Sequence, residues 1–262
     1  MIFFNFFSIF FFSRFVTNGL TKRRFKLYVP WIEEETKNFF LEKWGQKKEV
    51  ELMGDFSEAT ILTSTRCLQG AEIRKLAHEF NRLFLELDGG LNPIGFFFPN
   101  LPFPGMNATR RARKEMGEMF QKIITHRREN PNEEHEDIVQ SLMSSSYKNG
   151  KSLSDENIIG IMVGLLLAGQ HTSNVTATWT CLEFIRNPEI YQKLIEEQNT
   201  VMDGEKELNF DILSKMTYLD SVLSESLRIH PPLMLLIRRV MKDMEHNVKK
   251  KKKKFFCFFF FL

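Results

Sequence analysis

A short run of small and polar residues interrupts a long apolar stretch and is the part of this sequence best suited to chemistry. The run comprises Ala168, Gly169, Gln170, His171, Thr172 and Ser173. Glycine costs about 1 kcal/mol relative to alanine inside a helix. Small side chains at Ala168 and Gly169 allow a flat ligand to approach the backbone, and His171 and Thr172 offer it protons. The alternative is a polar core patch satisfied by neighbouring helices, and the spacing alone does not decide between the two.

The element that must position this run is one long helix. Ser154 is a suitable N-cap, and Asp155 and Glu156 suit the positive end of the helix dipole. Pro188 ends the helix because the residue before a proline avoids the α region. Residues 158–168 carry no charged side chain, and a helix that is apolar on all sides lies in a core or a membrane. Eleven such residues are fewer than the roughly twenty that span a bilayer, so we predict a central core helix over Asp155–Arg186.

Composition excludes several classes of protein. The net charge of +3 is too small to favour a nucleic-acid partner. The three cysteines form no CxxC pattern, which argues against a zinc site or a disulfide framework. The chain of 262 residues has room for one large domain or two small ones, and no glycine- or serine-rich linker divides it.

Several motifs occur in the order typical of one family. They are TRCLQGAEIR (65–74), LELDGG (85–90), YKNG (147–150), AGQHTS (168–173), ESLR (225–228) and HPPLMLLIRR (230–239). Together they resemble the haem-thiolate monooxygenases called cytochromes P-450. A histidine before the helix threonine, where most members have an acidic residue, resembles the sterol 14α-demethylase branch, and fungal members look most similar. The resemblance covers about residues 16–247.

The resemblance implies a fold, an activity and partners. We expect a mainly α, partial P-450 fold organised around Asp155–Arg186, with little β structure. The implied activity is oxidative removal of the 14α-methyl group of a sterol, in three successive oxidations, with haem as cofactor. The implied partners are a sterol substrate, an NADPH-cytochrome reductase and the endoplasmic reticulum membrane, with the catalytic domain facing the cytosol.

The resemblance also implies roles for particular residues. The catalytic, proton-delivery positions are matched by Thr172, His171 and Asp88. The cofactor-binding positions are matched by Arg238, as a propionate-binding arginine, and by Ala168 and Gly169. The substrate-lining positions are matched by Leu91, Ala168, Leu233 and Leu235. The family's structural ion pair is matched by Glu225 and Arg228. The alternative is an ordinary surface ion pair that stabilises the fold by less than about 1 kcal/mol.

We predict that Asp88 and His171 face each other as an ion pair. His171 interrupts an apolar helix, where a charged imidazolium would be costly without a partner. Asp88 ends a helix whose apolar face must pack on the same core. The alternative is that Asp88 only caps the Gly89–Gly90 turn while His171 bonds to a backbone carbonyl.

One motif of the family has no counterpart in these 262 residues. The iron-binding loop reads Phe-x-x-Gly-x-x-x-Cys-x-Gly, yet no glycine follows Gly204 and Cys257 stands between phenylalanines. We therefore expect no metal ligand in this sequence, no thiolate-ligated haem, and an inactive polypeptide. The alternative function is that of a non-catalytic helical fragment that binds a sterol or a protein partner.

The two ends differ in composition from the rest. Residues 1–15 contain eight of the 27 phenylalanines, and six lysines at 249–254 precede a second phenylalanine run. We expect 1–15 and 249–262 to be non-native segments flanking a partial monooxygenase domain at 16–248, since A-rich and T-rich DNA encodes lysine and phenylalanine. The alternative is a membrane anchor with a polybasic surface patch.

Two local predictions can be checked directly. Pro30 is expected in the first turn of a helix, where its missing N–H is harmless. Ser57 is expected to be the N-cap of the following helix.

Overall fold

A computed structural model describes residues 15, 17, 20–45, 49–70, 74–89, 104–147, 149–205, 207–233, 235–239, 244–246, 249–251 and 256–260, and only the backbone of its strands. Most of these residues are helical, as predicted. The helices are α1 Lys22–Trp44, α2 Leu52–Ser64, α3 Ala77–Asp88, α4 Pro104–Glu129, α5 Ile138–Met143, α6 Asp155–Arg186, α7 Pro188–Val201, α8 Phe210–Leu213 and α9 Thr217–Ile229. A π-helical turn, Thr65–Gln69, extends α2.

The long helix α6 has the predicted bounds. The Ser154 hydroxyl accepts the N–H of Asn157 at 3.4 Å, and Pro188 starts α7 immediately afterwards. Asp155 accepts hydrogen bonds from Gln121 and Arg128, both at 2.8 Å. A carboxylate in the first turn is favoured by the helix dipole, so local sequence signals are sufficient to define both ends of this helix.

The core lies where α6 crosses its neighbours. Helix α6 packs against α2, α4 and α9, and α3 packs along α4. The largest fully buried side chains include Phe80, Leu83 and Leu87 from α3, Met116, Phe120 and Ile124 from α4, and Ile158 and Ile161 from α6. Burying an aliphatic or aromatic side chain of this size stabilises the fold by about 1.5–3 kcal/mol. This core holds α3 and α6 together, and with them Asp88 and His171.

By length and composition alone, α6 is the one helix among the described residues that is apolar enough to cross a membrane. Its packing within the core, with Ile158, Ile161 and Met162 nearly inaccessible, makes it the central helix of the fold.

Two local predictions are wrong. Pro30 lies inside α1, because burial of Tyr28, Val29 and Phe39 around it outweighs the roughly 3 kcal/mol that an interior proline costs. Helix α2 begins before Ser57, because the Glu51 carboxylate accepts the N–H of Gly54 at 2.7 Å and caps the helix there.

The β structure is slight, as predicted. Strand β1 (Leu235–Arg239) pairs antiparallel with β4 (Phe256–Phe260), and β2 (Met244–His246) pairs antiparallel with β3 (Lys249–Lys251). An isolated bridge joins Ser146 and Ser152 around the turn at 147–151. Gly150 has φ of 79° in that turn, a conformation that favours glycine.

Candidate functional site

The central run of α6 has one open side and one buried side. Ala168, Gly169, His171 and Ser173 are exposed and Thr172 is partly exposed, whereas Gln170 is 1% exposed. A Cβ added to Gly169 would meet nothing within 4 Å. Among the described residues, nothing therefore shields the backbone at Gly169 from an approaching group. We call the exposed residues 168, 169, 171, 172 and 173 the open face.

Thr172 is oriented by its own helix. Its hydroxyl donates to the carbonyl oxygen of Ala168, one turn earlier, at 2.7 Å. This back-bonding is common for threonine in helices. The hydroxyl proton is therefore held by the helix, while the lone pairs of the oxygen remain able to accept from a partner on the open face.

Asp88 and His171 lie together, as predicted. The Oδ2 atom of Asp88 is 3.7 Å from Nδ1 of His171. Their side chains are 31% and 46% exposed, so water reaches the pair. The distance is that of an ion pair and is longer than a hydrogen bond. The geometry favours the pairing over the alternative in which Asp88 only caps its helix.

Gln170 anchors the side of α6 opposite the open face. Its amide Nε2 donates to the backbone carbonyl oxygen and, at 3.2 Å, to the hydroxyl of Ser57 on α2. Its Oε1 atom is buried without a hydrogen-bond partner among the described residues. Sequence reasoning assigned Gln170 no partner, because nothing in the sequence indicates which helix packs behind it.

The predicted pair on α9 forms at the surface. Arg228 donates to both carboxylate oxygens of Glu225, at 2.6 and 2.7 Å. The side chains are 69% and 55% exposed for arginine and glutamate, respectively. The hydrogen bonds from Arg228 hold the pKa of the Glu225 carboxyl below its ordinary range.

The structure locates only some of the residues predicted to contact substrate or cofactor. Leu233 is 58% exposed. Leu235 and Arg238 lie on β1, opposite Phe260 and Cys257, but their side chains are outside the described part. Leu91 lies outside the described residues. Their proposed contacts with substrate and cofactor remain predictions.

A contact that sequence reasoning missed joins α6 to the end of α9. The ring of His230 stacks on Trp179, and its Nε2 atom lies 3.0 Å from Oε1 of Glu183. The HPP motif drew attention to His230 but gave no partner for it.

Comparisons with known proteins identify the family of this chain. The family model described as cytochrome P450 matches residues 12–249. The chain belongs to the cytochrome P450 family. The solved structure of retinoic acid bound cyanobacterial CYP120A1 is similar with a TM-score of 0.83 at 25% sequence identity, over 94% of this chain and 55% of that chain.

Curated relatives point to one branch of the P450 family. The lanosterol 14-alpha demethylase of Cunninghamella elegans is 37% identical over 233 residues, which are 88% of this chain and 46% of that protein. The human lanosterol 14-alpha demethylase is 38% identical over 86% of this chain and 45% of that protein. The obtusifoliol 14-alpha demethylase of Sorghum bicolor is 37% identical over 90% of this chain and 48% of that protein. The chain thus spans about half the length of these relatives.

The P450 family implies haem. Among the residues whose side chains are described, the open face of α6 suits the flat face of such a group, but no suitable thiolate ligand for its iron is found. A thiolate, not a thiol, is the iron ligand, and burial raises the pKa of the Cys67 thiol to about 12. Burial also raises the pKa of Cys181. Neither Cys67 nor Cys181 is therefore suited to iron. Among the described residues, no group of three or more His, Cys, Asp or Glu side chains is arranged to hold a metal ion.

Proposed function

We propose that the chain is the part of a sterol 14α-demethylase that carries the central helix and its proton-delivery residues. The observation that carries the proposal is the open face of α6, with Asp88 and His171 3.7 Å apart beside it. Support comes from relatives named lanosterol and obtusifoliol 14-alpha demethylases at 37–38% identity. The substrate class would be a sterol, oxidised at its 14α-methyl group with electrons from an NADPH-cytochrome reductase at the endoplasmic reticulum membrane.

Within this function, the residues of the open face handle protons. The Asp88 carboxylate is reached by solvent, takes up a proton from water and passes it to neutral His171, either through one water or after the 3.7 Å distance shortens. His171 and Thr172 both belong to the open face, so a proton released by His171 would arrive beside the small residues 168 and 169. The small residues leave room for a flat group, and Gln170 keeps this turn of α6 fixed against α2.

The polypeptide as written is proposed to bind no thiolate-ligated haem. Its sequence lacks the cysteine loop, and burial keeps the Cys67 thiol protonated. The test is to purify the chain, supply haem, reduce it and add carbon monoxide. We expect no red-shifted Soret band of the kind that thiolate ligation gives. A band that appears, and that is lost in Cys257→Ala, would overturn this part of the proposal.

The proton-delivery roles need an intact relative. Replacing the aspartate that matches Asp88 with alanine should slow sterol oxidation more than it weakens sterol binding, because its proposed role is to relay protons from solvent to the histidine rather than to bind the sterol. The measurement is kcat together with the Kd for sterol from spectral titration. An equal loss in both quantities would assign the aspartate to binding instead.

The second candidate function is non-catalytic binding of a sterol by the fragment. It is favoured by the exposure of Leu233 and of the open face, and by the raised thiol pKa values of Cys67 and Cys181. Titration of the purified chain with a fluorescent sterol separates the candidates: saturable binding without haem supports the fragment function, and no binding removes it.

A further inference from the structure

His230 is held on two sides by the central helix. Its imidazole stacks on the indole of Trp179, with ring centroids 3.9 Å apart and an angle of 8° between the planes. Its Nε2 atom lies 3.0 Å from Oε1 of Glu183, and both side chains are about four-fifths buried. Trp179 and Glu183 are four residues apart on α6, so they lie on the same face of that helix. The ring is thus fixed both by stacking and by a polar contact.

His230 also ends α9. Its backbone N–H donates to the carbonyl oxygen of Ser226 at 2.8 Å, and the Ser226 hydroxyl accepts from Thr180 of α6 at 2.9 Å. The last turn of α9 is therefore attached to α6 at two points. Arg228, the partner of Glu225, lies between these two points along the chain. Where α9 is held thus determines where the Glu225–Arg228 pair is presented.

We propose that His230 is a positioning residue: clamped by Trp179 and Glu183, it fixes the end of α9 on α6 and thereby sets the position of the Glu225–Arg228 pair. The attachment itself follows from the contacts alone. Its importance for the pair rests on the proposed function, since the family resemblance gives that pair its structural role.

The charge on Glu183 contributes a pH dependence to the attachment. Hydrogen bonding to His230, and then pairing with Arg186, hold the pKa of the Glu183 carboxyl below its ordinary range. The charge therefore stabilises the attachment above about pH 4.3, the ordinary value for glutamate. The stabilisation is lost as the pH falls through the lowered pKa.

Other charged groups near this junction are already engaged. Arg186 of α6 pairs with Glu183 itself at 3.1 Å. Glu225 and Arg228 of α9 pair with each other. On α7, the Glu197 carboxylate accepts the N–H groups of residues 218 and 219 at the opposite end of α9. Among the described residues, Glu183 is thus the carboxylate that contacts His230.

The test is amide hydrogen exchange of residues 226–230 in the full chain, expressed as protection factors between about pH 3 and pH 8. His230→Ala should lower protection of this turn about tenfold near neutral pH, the loss expected for one hydrogen bond to a charged group. Glu183→Gln should lower it similarly and should remove the decline of protection towards acid pH. Protection unchanged within about twofold in His230→Ala would overturn the proposal.

Two further measurements keep the test decisive. Arg186→Gln is the matched control, because it removes another partner of the same carboxylate without touching α9; it should retain most of the acid decline. If Arg186→Gln abolishes the decline as fully as Glu183→Gln does, the decline reflects the overall charge of this region rather than the contact with His230, and the proposal fails. If far-ultraviolet circular dichroism shows that His230→Ala is unfolded, the result for the conservative variant Glu183→Gln decides the proposal. These outcomes are independent of the carbon monoxide spectrum, so this proposal and the proposed function can fail separately.

Discussion

Replacing Arg127 with methionine should destabilise the chain by about 3–5 kcal/mol, the cost of breaking a buried ion pair. Arg127 donates to the two carboxylate oxygens of Asp137 at 2.8 and 2.7 Å, and the two side chains are 1% and 7% exposed. Methionine preserves most of the apolar stem but leaves the carboxylate without its cation. The Asp137 carboxylate also caps α5 by accepting the N–H of Gln140 at 2.9 Å. That cap, worth about 1 kcal/mol, survives in this variant.

Urea unfolding of the chain and three variants measures this energy. Arg127→Met, Asp137→Asn and the double variant form a cycle in which asparagine can still cap α5. We expect the double variant to lose less than the sum of the single variants by about 2 kcal/mol or more, because it leaves no buried charge. Arg128→Met is the control. Arg128 is the next residue and pairs with Asp155 at the surface, so its loss should cost below about 1 kcal/mol.

A loss in Arg127→Met no larger than in Arg128→Met, or single-variant losses that add without coupling, would refute a stabilising role for the Arg127–Asp137 pair.

Three other results are expected. In the folded chain at pH 8, without denaturant, Cys67 should resist alkylation, because burial raises the pKa of its thiol to about 12. Mass spectrometry measures the extent of alkylation, and modification as fast as in the unfolded chain would contradict this expectation. The hydrogen bond from Arg128 is the main cause that lowers the pKa of Asp155. The Asp155 charge therefore contributes stability above its ordinary pKa of about 3.9, and this stability is lost as the pH falls through the lowered value. Asp155→Asn should thus flatten the acid side of the plot of melting temperature against pH, and an unaltered plot would count against this role. Gly169→Ala should raise the free energy of unfolding by about 0.5–1 kcal/mol, because Gly169 is inside a helix and an added Cβ would meet no atom within 4 Å. Gly150→Ala should lower the free energy of unfolding by about 1 kcal/mol, because Gly150 has φ of 79°. Melting temperatures that shift in the same direction in both variants would refute this contrast.

The long helix shows how much local sequence determines. The cap at Ser154, the acidic first turn and Pro188 are all short-range signals, and the helix runs from Asp155 to Arg186 as they indicate. The pairing of Asp88 with His171 is a long-range contact. Its prediction relied on the family resemblance together with the cost of an isolated charge in an apolar helix, and the structure places the atoms 3.7 Å apart.

Local rules failed at two positions. Pro30 was expected to start a helix, yet buried side chains on both sides of it carry α1 through. Ser57 was expected as a cap, yet the carboxylate of Glu51 caps α2 earlier and Ser57 instead accepts from Gln170. The two errors have different causes. Around Pro30, burial of several side chains outweighs the roughly 3 kcal/mol that an interior proline costs. At the start of α2, one local cap takes precedence over another, because Glu51 caps the helix ahead of Ser57.

By itself, the sequence determined the helical class, the central helix and the residue types of the open face, because periodicity and caps are encoded within a few residues. Only the tertiary structure decided which side of α6 is open, that Gln170 is anchored to Ser57, and that His230 lies between Trp179 and Glu183. These contacts join residues 47 to 113 positions apart in the chain. Gln170 and His230 each have many possible partners of suitable chemistry in the sequence, and only the packing of whole helices selects among them.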